Sequence, residues 1–501
     1  MVIYIGCAVV CRADNEARYI VRFKTASALN APAAAFASKT APLGLTVERR
    51  LPLDNSMVLK LSEAQRSALA AHPDVAAIEV DGKIQAFFEP NDTEYPLMHS
   101  MQGSFGIDAP AAWNISAGTT SKLVAVVDSG VDFTHEDLQG SIWNNPGEIA
   151  NNGLDDDGNG YVDDIRGYDF GSQGGDSDPS DENGHGTHVA GIIAATGNNA
   201  LGVIGVAWQT NIIPVKCLDG EGNGYISYLV NALDYVSVLK DQGYPIAVVN
   251  MSLGTDQESD ALTRAVERAA ARGILLVAAA GNNYGRNNDQ LGSYPANTDS
   301  SNVIAVTATN ASGVLAPFSN YGPRTVDISA PGSDILSTVP VALRGVRYDY
   351  IDGTSMAAPH VSGVAALVAA VNPAAHGALL KSILMATVTP RTGLKKKTVS
   401  GGIVNAYSAV SVGIASKSLY RVKGTVTRRG KGIGQVSIAL RLSSGVTYRR
   451  TATTTSGGRF TFNDVPGGTY TVTPTRPGLK FTVRSRKLAV TSNTLVRFTA
   501  R

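Results

Sequence analysis

Hydrophobic and polar positions divide the chain into stretches with different periods. Residues 18–24 alternate as a half-buried strand. Ser62-Glu63-Ala64-Gln65 is a capping box that predicts a short helix ending before Pro73, and residues 75–81 return as a strand. At residues 87–92 the composition turns from strand-like to turn-rich, so residues 14–90 read as one small α+β unit. From 95 to 414, apolar runs (123–127, 212–215, 246–250, 274–280, 303–306 and 326–328) alternate with helical stretches. That pattern predicts an α/β domain, a mainly parallel sheet flanked by helices, with function gathered at the carboxyl ends of its strands. Lys395-Lys396-Lys397 and a Ser/Gly-containing stretch to Ser418 mark the exit. Beyond it, residues 420–427, 435–440, 459–462 and 469–473 alternate with period two between turns, which predicts a small all-β sandwich over 417–501.

The ends of the chain add two facts. Residues 1–13 are apolar and finish in Cys11-Arg12-Ala13 without a basic start, the composition of a partial signal peptide or of a short apolar strand. Cys7 and Cys11 would leave with such a leader. Cys217 would then stand alone in apolar surroundings, a buried small hydrophobe. The net charge of +1 conceals a split: residues 417–501 hold 17 Lys and Arg against Asp464 alone, so this part carries +16 and the remainder −15. No run of 18 apolar residues predicts a membrane span.

Three stretches carry chemistry. Asp128 ends an apolar run and precedes Ser129-Gly130, a carboxylate at the end of a buried strand. His185 lies in the Gly-rich turn Asn183-Gly184-His185-Gly186-Thr187-His188 that opens an apolar helix. Ser355 lies in Asp352-Gly353-Thr354-Ser355-Met356-Ala357-Ala358-Pro359-His360, at the start of another helix whose first turn is expected to hold Pro359. A serine there has the positive end of the helix dipole and free N–H groups beside it, which suits an attacking oxygen and the oxyanion it creates. Taken alone, Gly-Thr-Ser is more commonly a helix cap. The order Asp, His, Ser differs from that of chymotrypsin and of the α/β-hydrolases. Gly353-Thr354-Ser355-Met356-Ala357 also lacks the second glycine of a lipase-type nucleophile elbow. His188, three residues after His185, has no third ligand to make a zinc site and reads as helix packing.

These motifs closely resemble the three active-site motifs of the subtilisin-like serine peptidases, over roughly residues 95–414. The resemblance implies that Asp128, His185 and Ser355 form a triad and that Asn282 supplies an oxyanion donor. It also implies that residues 14–90 are a propeptide, an intramolecular inhibitor removed by self-processing. The product would be a secreted, cell-surface or periplasmic endopeptidase, monomeric and acting on polypeptides. By the same resemblance, Ser252-Leu253-Gly254 and Ala278-Ala279-Ala280-Gly281 wall the pocket for the residue before the cut, with Ser293 at its base. No acidic group appears there, which implies broad specificity leaning to apolar and aromatic residues. A catalytically silent binding protein would be expected to have lost one of these residues, and none is lost.

Two calcium candidates follow. Asp155, Asp157, Asn159 and Asp163 occupy positions 1, 3, 5 and 9 of an EF-hand-like loop, with Arg166 where the bidentate Glu should be. The alternative is a solvated acidic loop. Asp137 with Asn199, and the carbonyls of Gly197, Leu201 and Val203, resemble the family's high-affinity site. Finally, Gly458-Arg459-Phe460-Thr461-Phe462 followed by Pro466-Gly467-Gly468-Thr469-Tyr470 resembles the carboxypeptidase-regulatory-like sandwiches. The positive charge of this part suits an anionic surface, a polysaccharide or nucleic acid, or serves only as a solubilising or stabilising appendage.

Overall fold

The computed structural model describes residues 17–25, 45–82, 89–172, 175–415, 419–442 and 449–501. The leader-like stretch 1–13, with Cys7 and Cys11, and the linker residues 416–418 lie outside them. The chain divides into two compact units, 1–86 and 87–501.

In the first unit, strands β1 (Ala17–Phe23), β2 (Thr46–Leu51), β3 (Ser56–Leu61) and β4 (Val75–Val80) form an antiparallel sheet of order β2-β3-β1-β4. Helix α1 (Glu63–Ala70) begins at the capping box: Ser62 Oγ accepts from the Gln65 N–H at 3.3 Å, and Gln65 Oε1 accepts from the Ser62 N–H at 2.7 Å. Val21, Phe23, Met57, Leu59, Leu61 and Leu69 make its core.

The second unit opens with the short helix α2 (Ala109–Trp113). Its central strands are β5 (Leu123–Asp128), β6 (Tyr168–Asp169), β7 (Asn211–Lys216), β8 (Ile246–Met251), β9 (Leu275–Ala279), β10 (Val303–Thr309) and β11 (Ile328–Pro331). A hairpin follows, β12 (Ile335–Thr338) and β13 (Tyr348–Ile351), and two short strands, β14 (Thr389–Pro390) and β15 (Gly402–Ile403), extend the sheet edge. Among the described residues the sheet order is β14-β15-β11-β10-β9-β8-β5-β7-β6, parallel except at β14–β15. The strands are continuous apolar runs because both faces are covered. In β5, Val124 and Val126 enter one core while Leu123, Ala125 and Val127 enter the other.

Helices α3 (His185–Ala194), α4 (Ile226–Asp241), α5 (Asp260–Ala271), α6 (Val341–Arg344), α7 (Thr354–Val371), α8 (Gly377–Ala386) and α9 (Ala406–Ala415) complete the domain. Helix α7 packs across β8, β9, β10 and β11. It is long and apolar enough to span a membrane, but 83% of it is buried inside the protein, as befits a core helix.

The C-terminal strands are β16 (Leu419–Arg428), β17 (Lys431–Gly432), β18 (Ser437–Leu442), β19 (Arg449–Thr453), β20 (Arg459–Pro466), β21 (Gly468–Thr475), β22 (Arg486–Val490) and β23 (Thr494–Ala500). One sheet sets β16 between β20 and β23, and the other runs β19-β18-β21-β22. Their alternating residues, among them Val422, Val426, Ile438, Leu440, Phe460, Phe462, Tyr470, Val472, Val496 and Phe498, face each other as a sandwich core. The buried Tyr470 hydroxyl donates to the Pro466 carbonyl at 2.7 Å. The sandwich rests on the α/β domain through β20 against α8.

Candidate active site

Asp128 is the last residue of β5 and is fully buried. His185 is the first residue of α3, and its Nδ1–H donates to Asp128 Oδ1 at 2.6 Å. The close approach requires glycine at 186, since a Cβ there would lie 2.1 Å from the Gly130 carbonyl oxygen and 3.1 Å from Asp128 Cβ. The turn is fixed by Asp181, which the sequence reading passed over. Its Oδ1 accepts from Ser129 Oγ (2.9 Å) and the N–H groups of Asn183 (3.0 Å) and Gly184 (2.9 Å), and its Oδ2 from the Thr187 N–H (2.9 Å) and hydroxyl (2.5 Å). Burial pulls the His185 pKa down, but the charge and hydrogen bond of Asp128, with the charge of Asp181, outweigh it, and the net shift is upward. The ring keeps 26% of its surface exposed, on the cleft side.

Ser355 is the second residue of α7. Pro359 therefore lies in the body of the helix, not in its first turn as the sequence suggested, because the helix begins at Thr354. Proline has no N–H to offer the carbonyl four residues back, which is that of Ser355. The hydroxyl of Ser252 replaces it, donating to the Ser355 carbonyl at 2.7 Å. Ser252 Oγ in turn accepts from Asn250 Nδ2 at 2.9 Å, and Asn250 Oδ1 accepts from Ser362 Oγ at 2.8 Å. The backbone of Ser355 is thus tied to the end of β8 by side chains. Ser355 Oγ itself donates to the Ser252 carbonyl at 2.9 Å.

Asn282 follows β9. Its Oδ1 accepts from both the N–H and the hydroxyl of Thr354, each at 2.9 Å, which turns the amide NH₂ outward. A Cβ on Gly353 would stand 3.4 Å from the Ser355 nitrogen and 3.5 Å from Asn282 Nδ2. Two donors therefore border one small space beside Gly353.

A cleft of about 1070 Å³ is lined by His185, Ser355, Asn282, Ser252, Leu253, Gly254, Ala279, Gly281 and Ser293, and by the loop Glu221 to Tyr225. Ala278 and Ala280 do not line it. Strand alternation sends both into the opposite core, where they are fully buried. The pocket's base is drawn together by paired backbone bonds between Thr255 and Tyr294, at 2.8 and 2.7 Å. Asp256, on the lining, is ion-paired with Arg286 at 2.6 Å.

His188 is buried and neutral, its pKa pushed down to about 3 by burial, and its Nε2 serves the carbonyls of Ile335 and Asp349. This is the packing role expected of it.

In the acidic loop, Asp155 accepts from the N–H groups of Asn159 and Gly160, and Asp163 from those of Asn152 and Gly153. These two carboxylates close the loop's own turns, as does Glu148, which accepts from the N–H groups of Asp156 (2.8 Å), Asp157 (3.0 Å) and Asp163 (3.1 Å). The carboxylates that converge are Asp157 with Glu148 and Asp164, each offering an oxygen within 4.8 Å of the others. Asn159 lies beside them, its Nδ2 on Asp164 Oδ2 at 3.1 Å. Burial pushes the Asp164 carboxyl up to about 6. An all-oxygen, anionic donor set with no Lys or Arg paired to it among the described residues fits a hard cation such as Ca²⁺. In the second candidate, Asp137 accepts from Asn199 Nδ2 (2.7 Å) and the Val203 N–H (3.0 Å), and burial raises its pKa. Asp92, unnoticed in the sequence, accepts from the N–H groups of Asn198 (2.9 Å) and Asn199 (3.4 Å).

A doubly wound parallel sheet with a serine, an imidazole and an amide donor around one cleft defines a serine protease of the α/β kind. Residues 119–408 match the family model described as the subtilase family. The chain belongs to the subtilase family and is a subtilisin-like serine endopeptidase. It is 39% identical over 315 residues to a thermophilic serine proteinase of Bacillus sp. (strain AK1), covering 62% of this chain and 68% of that one. It is 34% identical over 446 residues to an extracellular protease of Xanthomonas campestris pv. campestris, covering 80% and 74%. Thermitase of Thermoactinomyces vulgaris is 37% identical over 324 residues, covering 64% and 99%. A solved protease structure from Pseudoalteromonas arctica aligns with a TM-score of 0.52 at 29% identity, covering 65% of this chain and 99% of that one. Residues 419–497 match the model described as the second beta sandwich domain of BOS complex subunit NOMO1-like proteins. The sandwich architecture is as the sequence predicts, and the model it matches is this one.

Proposed function

We propose that the chain is a secreted, self-processing zymogen whose triad is Asp128, His185 and Ser355, with residues 14–90 as the inhibitory propeptide. The 2.6 Å bond from His185 Nδ1 to Asp128 Oδ1, behind a cleft that also exposes Ser355 and Asn282, carries the reading. His185 Nε2 accepts the Ser355 proton as Oγ attacks the peptide carbonyl carbon, and Asp128 holds the tautomer and stabilises the imidazolium. The carbonyl oxygen takes the negative charge between the Ser355 N–H and Asn282 Nδ2. The C–N bond then breaks as His185 returns the proton to the leaving nitrogen, and water repeats the cycle on the acyl ester.

The pocket between Ser252–Gly254 and Ala279–Gly281, with Ser293 at its base and Asp256 neutralised by Arg286, favours apolar and aromatic residues before the cut. Secretion agrees with the names of the Xanthomonas and Dichelobacter relatives, an extracellular protease and an extracellular basic protease. Calcium would be held by Glu148, Asp157 and Asp164, and by Asp137 with Asn199. It would supply charge neutralisation that stiffens these loops.

Intact mass of the wild type beside Ser355→Ala, with casein hydrolysis in parallel, tests the reading. The wild type should lose its first 85 to 95 residues or so and digest casein, while the variant stays full length. If both remain full length and inert, even after another protease removes the N-terminal unit, the triad roles are wrong.

A further inference from the structure

We infer that the groove between β22 and β23 on the C-terminal sandwich is a binding site for an acidic polysaccharide, one bearing carboxylate or sulfate groups. The inference stands apart from the proteolytic reading and concerns where the enzyme is held.

The sandwich meets the α/β domain along β20, and Arg450 and Thr451 of β19 line a cavity shared with Lys381, Ser382 and Met385 of α8. Strands β22 and β23 lie at the opposite borders of the two sheets, each paired on one side to a neighbouring strand, β21 and β16. The groove they form, about 740 Å³, is lined by Arg486, Lys487, Leu488, Leu495, Val496 and Arg497. The three cations are exposed, and none is paired with a carboxylate among the described residues. The register carries the charge onward over the outer sheet face. Arg497 stands beside Thr425, which stands beside Arg459, and Lys423 lies two residues along β16 from Thr425. Arg459 and Arg497 are thus two strand spacings apart, roughly 10 Å, the scale of a disaccharide repeat.

Asp464 is the one acidic residue between 417 and 501, so these cations repel one another and nothing within the sandwich offsets them. A polyanion on the free face would. Its class follows from what accompanies the charge. Thr425 stands between Arg497 and Arg459 and Thr461 beside Lys423, and Leu495, 69% exposed, offers an apolar patch to sugar C–H faces. No aromatic side chain lines the groove for base stacking, which disfavours single-stranded nucleic acid. Edge cations also deter strand addition. That role alone needs fewer of them and predicts no glycan binding.

The test uses the full chain as Ser355→Ala, which prevents self-digestion, with polygalacturonate and dextran sulfate as probes and neutral dextran as control. At low salt the protein should bind at least one charged polymer and not dextran. Binding should fade as salt brings the screening length to about 8 Å and below. Arg486→Gln/Lys487→Gln/Arg497→Gln should weaken it by about tenfold or more. Arg428→Gln/Lys431→Gln/Arg441→Gln, which removes equal charge elsewhere on the sandwich, should weaken it less than about threefold. On the Ser355 background the groove triple should cleave a short chromogenic peptide at the unaltered rate, so loss of binding and loss of proteolysis are separate readouts. Three results would each overturn the inference: no binding to either charged polymer, equal loss in both triple variants, or tighter binding of duplex DNA or polyglutamate than of both polysaccharides.

Discussion

Ser252→Ala probes how Ser355, the proposed nucleophile, is held. The hydroxyl it removes donates to the Ser355 carbonyl at 2.7 Å and accepts from Asn250 at 2.9 Å. Pro359 leaves that carbonyl without a helical donor. The variant therefore strands one acceptor and one donor in a buried position, and an unsatisfied buried group costs about 1–3 kcal/mol. Read in a Ser355→Ala background, where autolysis does not intrude, denaturant unfolding should show a loss of that size. If the same energy is lost from the placement of Oγ, kcat falls about 5- to 160-fold. KM should change little, because the main chain of Ser252 that borders the cleft is intact. Pro359→Ala restores an N–H aimed at the Ser355 carbonyl. The double variant Ser252→Ala/Pro359→Ala should then lose less than the sum of the singles, by about 1 kcal/mol. Strict additivity, or a Ser252→Ala enzyme unchanged in both stability and kcat, would refute this account of the helix start.

Asn282→Ala should lower kcat by about 10²–10³ with little effect on KM, the size of the effect in subtilisin itself. His185 works as a base only when neutral, and its pKa is raised, so the acid limb of kcat/KM should lie above the ordinary histidine value of 6.5. Asp181→Asn should move that limb to lower pH, and an unmoved limb would rule out its electrostatic role. By linkage, the charge interaction of His185 stabilises the fold fully below about pH 6.5 and is lost as pH rises through the raised value. Chelation should lower the thermal midpoint, since a cation at about 100 times its Kd contributes about 2.7 kcal/mol. The metal-free protein should regain stability as pH falls through about 6, where Asp164 takes up its proton. Asp157→Asn/Asp164→Asn should remove the part of the calcium dependence that this loop contributes and leave the part that rests on Asp137, whereas Asp155→Ala should cost only a local turn.

By itself the sequence determined the α/β domain, the capping box, the period-two sandwich and the places of Asp128, His185, Asn282 and Ser355. Each of these depends on local pattern: strands buried on both faces must be apolar throughout, and reactive side chains sit where such runs meet glycine. Tertiary structure decided the rest. Strand alternation withdrew Ala278 and Ala280 from the cleft, although four consecutive small residues look alike in one dimension. The fold of the loop brought Glu148 and Asp164 beside Asp157, because a carboxylate's neighbours are set by how the loop folds back on itself. Ser252 became the substitute donor only where β8 comes up against the start of α7, and β22 and β23 became one groove only where two sheet borders coincide. Contacts between residues distant along the chain leave no period in the sequence, because they arise only when separate elements are packed together.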